Sequence, residues 1–527
     1  MTQNRSLLVL AVCLAMATAA CSAGPSSRPD VAVEQNSPGQ PAESDVPEPD
    51  EVPALEVPAT DLAWSDCTQT TLDLYGFTSS TPGLELDCAA FEAPVDAAGE
   101  MFGSFVVGAM RARLDRTPDD APPLVFTSGA DRSSIETLAD MASGQLATLL
   151  AEHPIVAVDR RGIGRSTAVN CITPDTRIPL SDLGQFATPE ADAGAADVDA
   201  VDRAVEAGRT ATIECTDLLQ PQEFAFGAGY AADDLEQLRT AWGVDAIGII
   251  GAGNGASTAL AYSAVYPDRI ARLVLDAPAD TGVDQLSKAE QRTQGREAAF
   301  AAFTQRCIAL DCSLGPDPLG AVVQLIDEAE EGALAPISTH ELRNGIAYAL
   351  ASSTADPSRR ALDLSDTLSA AVDGDDSDLV DLTSRAAAAY GTDGQFVARC
   401  TDGRQWPAPG AVRDLQPEWD ELYPVFGSDA ALVSLTCSSW PTAPAAPLPT
   451  DLSVPVLSLS GAADPVVGNG GFSSVTGLVA STGASAASMT WQGSGHPVIG
   501  GSRCAQEAVA TYASTATLPP DGSVCPA

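Results

Sequence analysis

The sequence predicts an α/β fold: a mostly parallel central sheet flanked by helices, with a block of helices inserted late in the chain. Three observations predict it. Residues 246–276, AIGIIGAGNGASTALAYSAVYPDRIARLVLD, read as strand, tight turn, helix and strand. The apolar run Ala246 to Ile250 is short enough for a buried strand, Gly251 to Gly255 form the turn, Ala256 to Tyr266 form an Ala-rich helix, and Leu273 to Leu275 form a second strand ending in Asp276. That order is a parallel βαβ unit. Similar short strand-like runs recur at Pro122 to Phe126, Pro154 to Val158 and Pro455 to Leu459, and Ala486 to Trp491 reads as a further strand. Between them, residues 280–447 break the alternation with an Ala-rich, acidic, helical pattern that holds four cysteines.

Taken in order, the chain begins with an export signal. Arg5 precedes an apolar run, Leu7 to Ala20, and small residues lead to Cys21. That run is short for a membrane span, which needs about 20 apolar residues. Ala19, Ala20 and Cys21 resemble the acylation site of a bacterial lipoprotein, with Thr18 where leucine is usual. The expectation is a signal peptide over 1–21 with a lipidated Cys21, and soluble secretion as the alternative. Residues 22–61, rich in Pro, Ser, Glu and Asp, have too little apolar surface to offset the entropy of ordering, so a disordered tether is expected.

The folded body is expected as a first core part over 62–279, a helical cap over 280–447 and a last core part over 448–527. Gly103 to Leu114 reads as an early antiparallel strand. Ser133 to about Leu150 reads as one helix, with Ile135, Leu138, Leu146 and Leu149 on one face. Residues 193–218 read as helix. Gly229 to Trp242 is a helix stopped by Gly243, and Cys504 to Ser514 closes the chain.

Charge narrows the partners. The formal net charge is −44, from 71 acidic and 27 basic residues, and Lys288 is the one lysine. Such a balance repels nucleic acid and anionic membrane surfaces, so no nucleic acid is expected and membrane contact is expected only through a lipid anchor. The excess reads first as a solvated surface. The cap acids Asp327, Glu328, Glu330 and Glu331, with Asp373, Asp375, Asp376 and Asp378, leave a second option: attraction for peptides or small amine-bearing ligands.

Twelve cysteines occur. Beyond Cys13 and Cys21, the remaining set is even, which in an exported chain implies disulfides. Order alone leaves connectivity open. We expect neighbours to pair: Cys67 with Cys88, Cys171 with Cys215, Cys307 with Cys312, Cys400 with Cys437, and Cys504 with Cys525. No zinc-type CxxC spacing occurs and only His153, His340 and His496 exist, so neither metal nor cofactor is expected.

Several motifs then carry a resemblance. Trp64 with Cys67 and Cys88, the turn Asp159 to Ser166 followed by Cys171, the helix run Asp234, Leu235, Leu238, Arg239 and Gly243, the post-turn stretch Tyr266 to Arg269, and Cys400 with Asp402 and Cys437 with Trp440 and Pro441 resemble the secreted tripeptidyl and prolyl aminopeptidase-like α/β-hydrolases of actinobacteria. The resemblance covers nearly all of 62–527 and implies the α/β-hydrolase fold. It also implies a triad in the order Ser, Asp, His. The acid maps to Asp464 and the base to His496, the one histidine in a loop suited to catalysis. The nucleophile maps to Gly253, between Gly251 and Gly255, where that family has serine at the apex of a nucleophile elbow. The oxyanion region maps to Ser128, Gly129, Ala130 and Asn254. It too departs from the family pattern: one glycine remains, and Asp131 adds a negative charge where an oxyanion would form.

Two lesions in one machine imply an exported, lipid-anchored α/β-hydrolase-fold protein without serine-nucleophile catalysis that binds a peptide or another ligand. The alternatives are an active aminopeptidase or esterase that uses His496 and Asp464 with another nucleophile (Ser257, four residues past the apex, or Ser128 or Ser133 beside the altered oxyanion loop, with Ser494 read as a loop residue), and a structural lipoprotein of the cell envelope.

Overall fold

In the computed structural model, residues 52–186, 198–353 and 356–527 are described. The expected signal peptide, Cys21 and the tether up to residue 51 lie outside them. Ten strands form one sheet: β1 (Ser65–Asp66), β2 (Leu84–Pro94), β3 (Ser104–Leu114), β4 (Leu124–Thr127), β5 (Ile155–Val158), β6 (Ile247–Ala252), β7 (Ile270–Asp276), β8 (Val456–Ala463), β9 (Ala486–Ser494) and β10 (Ser523–Cys525), in the order β1-β2-β3-β5-β4-β6-β7-β8-β9-β10. The first three pair antiparallel, and β3 pairs antiparallel with β5. Every pairing from β5 to β10 is parallel. This is the mostly parallel sheet of an α/β fold, with an antiparallel edge.

Strand pleating splits the core between two faces. Phe126, Ile250, Val274 and Leu459 point to one side, packed with Leu138, Met141 and Tyr512. Val125, Ile249, Leu273 and Val456 point to the other, packed with Leu235, Trp242 and Tyr262. Strands buried on both faces read as continuous apolar runs, which is why they were visible in the sequence.

Between β7 and β8 the chain is helical, from Gln285–Ala309 through Gly427–Val433, and it carries its own apolar cluster around Phe300, Leu325, Ile346 and Phe426. The cap also takes in helices from the first core part. Pro174–Ser181 and Ala200–Leu219 pack with it: Cys171, Cys215 and Ala211 share a cluster with Phe396, Cys400, Cys437 and Trp440. Among the described residues five disulfides join the neighbouring cysteines, Cys67–Cys88, Cys171–Cys215, Cys307–Cys312, Cys400–Cys437 and Cys504–Cys525.

Two expectations are corrected, and one strand is added. The helix expected from Ser133 to Leu150 is two, Ser134–Ser143 and Ala147–Leu150, because Gly144 leaves the helical conformation at ψ −96°. Residues 52–61 are not a free tether. Leu55 and Val52 pack against the two sheet-face clusters, Ala59 and Thr60 donate from their N–H groups to Trp242 O, and Pro53 O accepts from Arg272. Sparse but well-spaced apolar side chains anchor an otherwise acidic segment. β2, eleven residues long, went unread because polar and acidic side chains interrupt it and its partner β3 supplies the pairing.

Candidate active site

β6 ends at Ala252, and the chain turns through Gly253, at φ +55°, into the helix Gly255–Val265. This is the geometry of a nucleophile elbow: a left-handed apex between strand and helix. The flanking glycines are there for space. A Cβ on Gly255 would lie 1.9 Å from Thr127 O, and one on Gly251 would lie 2.8 Å from Gly255 O. The apex is held by its backbone, Gly253 N donating to Asp276 O at 3.0 Å and Gly253 O accepting from Ala279 N at 3.1 Å.

The sheet topology brings the rest of the predicted site to this apex. β8 delivers Asp464 and β9 delivers His496. Asp464 Oδ2 lies 2.7 Å from His496 Nδ1, and its Oδ1 accepts from Val466 N at 2.8 Å and Val467 N at 2.9 Å. Both side chains are buried. The other imidazole nitrogen faces the apex: a Cβ on Gly253 would stand 3.1 Å from His496 Nε2. Asp464, His496 and the Gly253 apex are therefore brought together, with no side-chain hydroxyl on the apex residue.

Sequence reading placed Asp131 near the oxyanion region but missed what it does. Its Oδ2 would lie 3.0 Å from that same Gly253 Cβ, and it accepts the Asn254 backbone N–H at 3.0 Å. Its Oδ1 accepts from Asn254 Nδ2 at 2.5 Å. The N–H of the residue after the apex is the usual donor to an acyl-transfer oxyanion. Here a carboxylate of the protein occupies it. The cap holds this loop in place: Gln395 Nε2 donates to Asp131 O at 3.0 Å, and Arg132 pairs with Glu136 at 3.1 Å beneath the Tyr348 ring. No sequence pattern marks that side-chain bond, because the partners are 123 residues apart.

Of the other oxyanion-region residues, Gly129, at φ +69°, packs so closely that a Cβ would lie 2.5 Å from Asn254 C, and Ala130 lines the cavity described below. Ser128 Oγ donates to Arg132 O at 2.7 Å, and Ser133 Oγ donates to Asp159 Oδ1 at 2.7 Å, so each nearby hydroxyl is committed elsewhere. Ser257 sits in the helix after the elbow, its N–H bonded to Asn254 O. His153 bridges Pro122 O and Ser514 Oγ, and His340 pairs with Asp429. Neither reaches the apex residues.

Burial disfavours a charged His496. The Asp464 carboxylate, its hydrogen bond, Asp276 and Asp131 outweigh that cost, and the imidazole pKa is raised above its ordinary value. A raised pKa means the folded state binds this proton more tightly than the unfolded one. The resulting stabilisation is complete below the unfolded value, about 6.5, and is lost as pH rises through the folded value. Unfolding free energy measured from pH 6 upward is therefore expected to fall more steeply in the native chain than in His496→Gln. Parallel curves would refute the charge assignment.

A cavity of about 240 Å³ opens between sheet and cap and reaches Ala130, Asp131 and Asn254, with Phe396, Tyr390 and Trp406 among its apolar lining. Gly253 and His496 are not among its lining residues; on the elbow side the cavity meets Ala130, Asp131 and Asn254.

Sheet order, elbow and the late acid and histidine define an α/β-hydrolase fold. A family model described as "alpha/beta hydrolase fold" matches residues 138–314, which hold the elbow, and one described as "TAP-like protein" matches 423–525, which hold Asp464 and His496. The chain is 26% identical over 332 residues to serine protease Hip1 of Mycobacterium tuberculosis, and equally to that of Mycobacterium bovis; the match covers 57% of this chain and 61% of the relative. It thus spans about three-fifths of the length of these curated relatives. Together these matches support an α/β-hydrolase of the TAP-like kind. Among solved structures, a serine hydrolase from Cycloclasticus zankles is 12% identical, with a TM-score of 0.37, covering 81% of this chain and 97% of that one. Carboxylesterase CesB from Bacillus subtilis is 13% identical, with a TM-score of 0.33, covering 85% and 95%.

Proposed function

We propose that this chain has abandoned serine-nucleophile chemistry and uses the cavity between sheet and cap to bind a peptide or another small ligand, as an exported protein anchored through Cys21. One observation carries the reading: at the apex of an intact elbow there is no hydroxyl, and the Asp131 carboxylate holds the Asn254 N–H that an oxyanion would need. The loss is doubled, in the nucleophile and in the stabiliser, so a single reversal does not undo it. A peptide-like ligand is favoured by similarity to a protein named as a serine protease. Export is supported by residues 1–21 and by five disulfides. Among the described residues no helix is long and apolar enough to cross a membrane.

One observation favours a second reading. Asp131 Oδ2 lies where a nucleophile would stand, beside an imidazole with its acid in place. A carboxylate there could serve in place of serine, or the dyad could activate water. The test is to expose the purified protein to a fluorophosphonate and to aminoacyl and ester substrates. The expected result is no labelling and no turnover. Turnover that disappears in both His496→Ala and Asp131→Asn would establish the second reading instead.

A further inference from the structure

The cavity is charged against the grain of the molecule. The chain carries 71 acidic and 27 basic residues, yet the cavity lining has five bases, Arg177, Lys288, Arg292, Arg296 and Arg399, to three acids, Asp131, Glu341 and Asp402. The chain's one lysine is among them. Lys288, Arg292 and Arg296 lie four residues apart on the helix Gln285–Ala309, so they form a single stripe down one face, and Arg399 comes from the helix Asp393–Asp402.

The acids of the lining are spent. Asp402 holds Arg160 at 2.6 Å and accepts from Ala228 N at 2.8 Å. Glu341 closes a capping box on Ser338. Arg177 is bound to Asp393. The other bases are left short of counter-charge. Arg292 approaches Asp131 only to 3.9 Å and otherwise donates to Val466 O; Arg296 donates to Pro465 O at 3.3 Å. Among the described residues, no ion pair or side-chain hydrogen bond involves Lys288 or Arg399; Asp402, Asp280 and Asp131 act on Lys288 only at longer range, and Asp131 alone among carboxylates acts on Arg399. Burial, followed by mutual repulsion with Arg292, pulls Arg296 and Arg399 down to about 10. None of the eight cap acids named above as attractors of amines lines the cavity.

Resting on the ligand-binding reading of this cavity, we infer that its ligand is an organic anion, whose carboxylate or phosphate group is taken by Lys288, Arg292, Arg296 and Arg399. Clustered cations in a partly desolvated cleft repel one another, and an anion relieves that repulsion while gaining charge-assisted hydrogen bonds. Asp131 already acts as a weak internal anion for the same cluster, so a ligand competes with it. The apolar lining, Trp406, Phe396 and Val433 among it, suits the carbon body of such a ligand.

The test is calorimetric titration at fixed ionic strength with citrate, with inorganic phosphate and with lysinamide as the cationic control. Citrate or phosphate is expected to bind saturably, which of the two binds more tightly distinguishing carboxylate from phosphate chemistry. Lysinamide is expected not to bind. Arg292→Gln and Arg399→Gln are expected to weaken anion binding at least tenfold, and Asp131→Asn to strengthen it severalfold. Arg503→Gln, an exposed side chain outside the cavity lining, serves as the control for general charge loss and is expected to change nothing. Circular dichroism confirms that each variant is folded, and Asp131→Asn keeps the test open should an arginine variant fail to fold. Anion binding unaffected by the arginine changes would overturn the inference. Lysinamide binding blocked by Trp406→Ala would overturn it while leaving the cavity a ligand site. Serine-hydrolase-like turnover would instead strike the reading beneath it, whatever the charge of the ligand.

Discussion

Gly253→Ser alone is expected to leave the protein unreactive towards fluorophosphonates, whereas Gly253→Ser with Asp131→Gly is expected to create a reactive serine. The elbow backbone already has the left-handed conformation that a nucleophile takes, at a cost to a serine of about 1–2 kcal/mol. His496 Nε2 is 3.1 Å from where the new Cβ would stand, and Asp464 already orients the imidazole through Nδ1. What the single variant lacks is a place for the oxyanion. Asp131 Oδ2 takes the Asn254 N–H, and losing one such donor costs about 10²–10³ in rate. A second negative charge about 4 Å from the developing oxyanion adds roughly 4 kcal/mol at an effective dielectric of 20. That alone is near a thousandfold. The double variant removes both penalties and one of the two side chains crowding the new Cβ, leaving His496. Labelling by a fluorophosphonate and ester turnover in the double but not the single variant is the expected outcome. Equal labelling of the two would mean that Asp131 does not block the site.

That experiment turns on a bond the sequence hid. The elbow was legible because three glycines in a βαβ unit leave few other conformations, and the acid and histidine were legible because each lies in a short Gly-containing loop just after a strand. The apex was visible as a vacancy, and Asp131 as a charge out of place. Its landing on Asn254 was not legible, because the position depends on Gln395 in the cap and on Arg132 packed under Tyr348, contacts made only on folding. The cation stripe shows the same limit. Lys288, Arg292 and Arg296 are spaced for one helix face, but a helix face is solvated or enclosed according to what packs over it. Acidic patches of the cap, conspicuous in the sequence, lie away from the cavity, and the basic minority lines it.

The motif Asp159 to Ser166 has a structural role, and breaking it is expected to cost more stability than any surface change. Arg161 is 1% exposed and uses its whole guanidinium: it grips both oxygens of Asp234, at 2.9 Å and 2.7 Å, and donates to Pro94 O, Val95 O and Ala225 O. It thereby ties the end of β2 to the helix Ala228–Trp242. Asp159, two residues earlier, accepts from Ser133 Oγ, Ile135 N and Arg165 N, fixing the start of the helix that follows the oxyanion loop. Burial pushes the Asp234 carboxyl up to about 6 even with Arg161 beside it. Without the guanidinium, Asp234 has to be protonated or stay charged in an apolar site, and three carbonyl groups lose their donor. Arg161→Ala is therefore expected to lower the unfolding free energy by about 3–5 kcal/mol in urea titrations. Arg161→Met with Asp234→Leu is expected to recover much of that loss, because a paired removal leaves no buried charge behind. A loss below about 1 kcal/mol for the single variant would show that water reaches Asp234 and that the ends of β2 and the helix are held by packing alone.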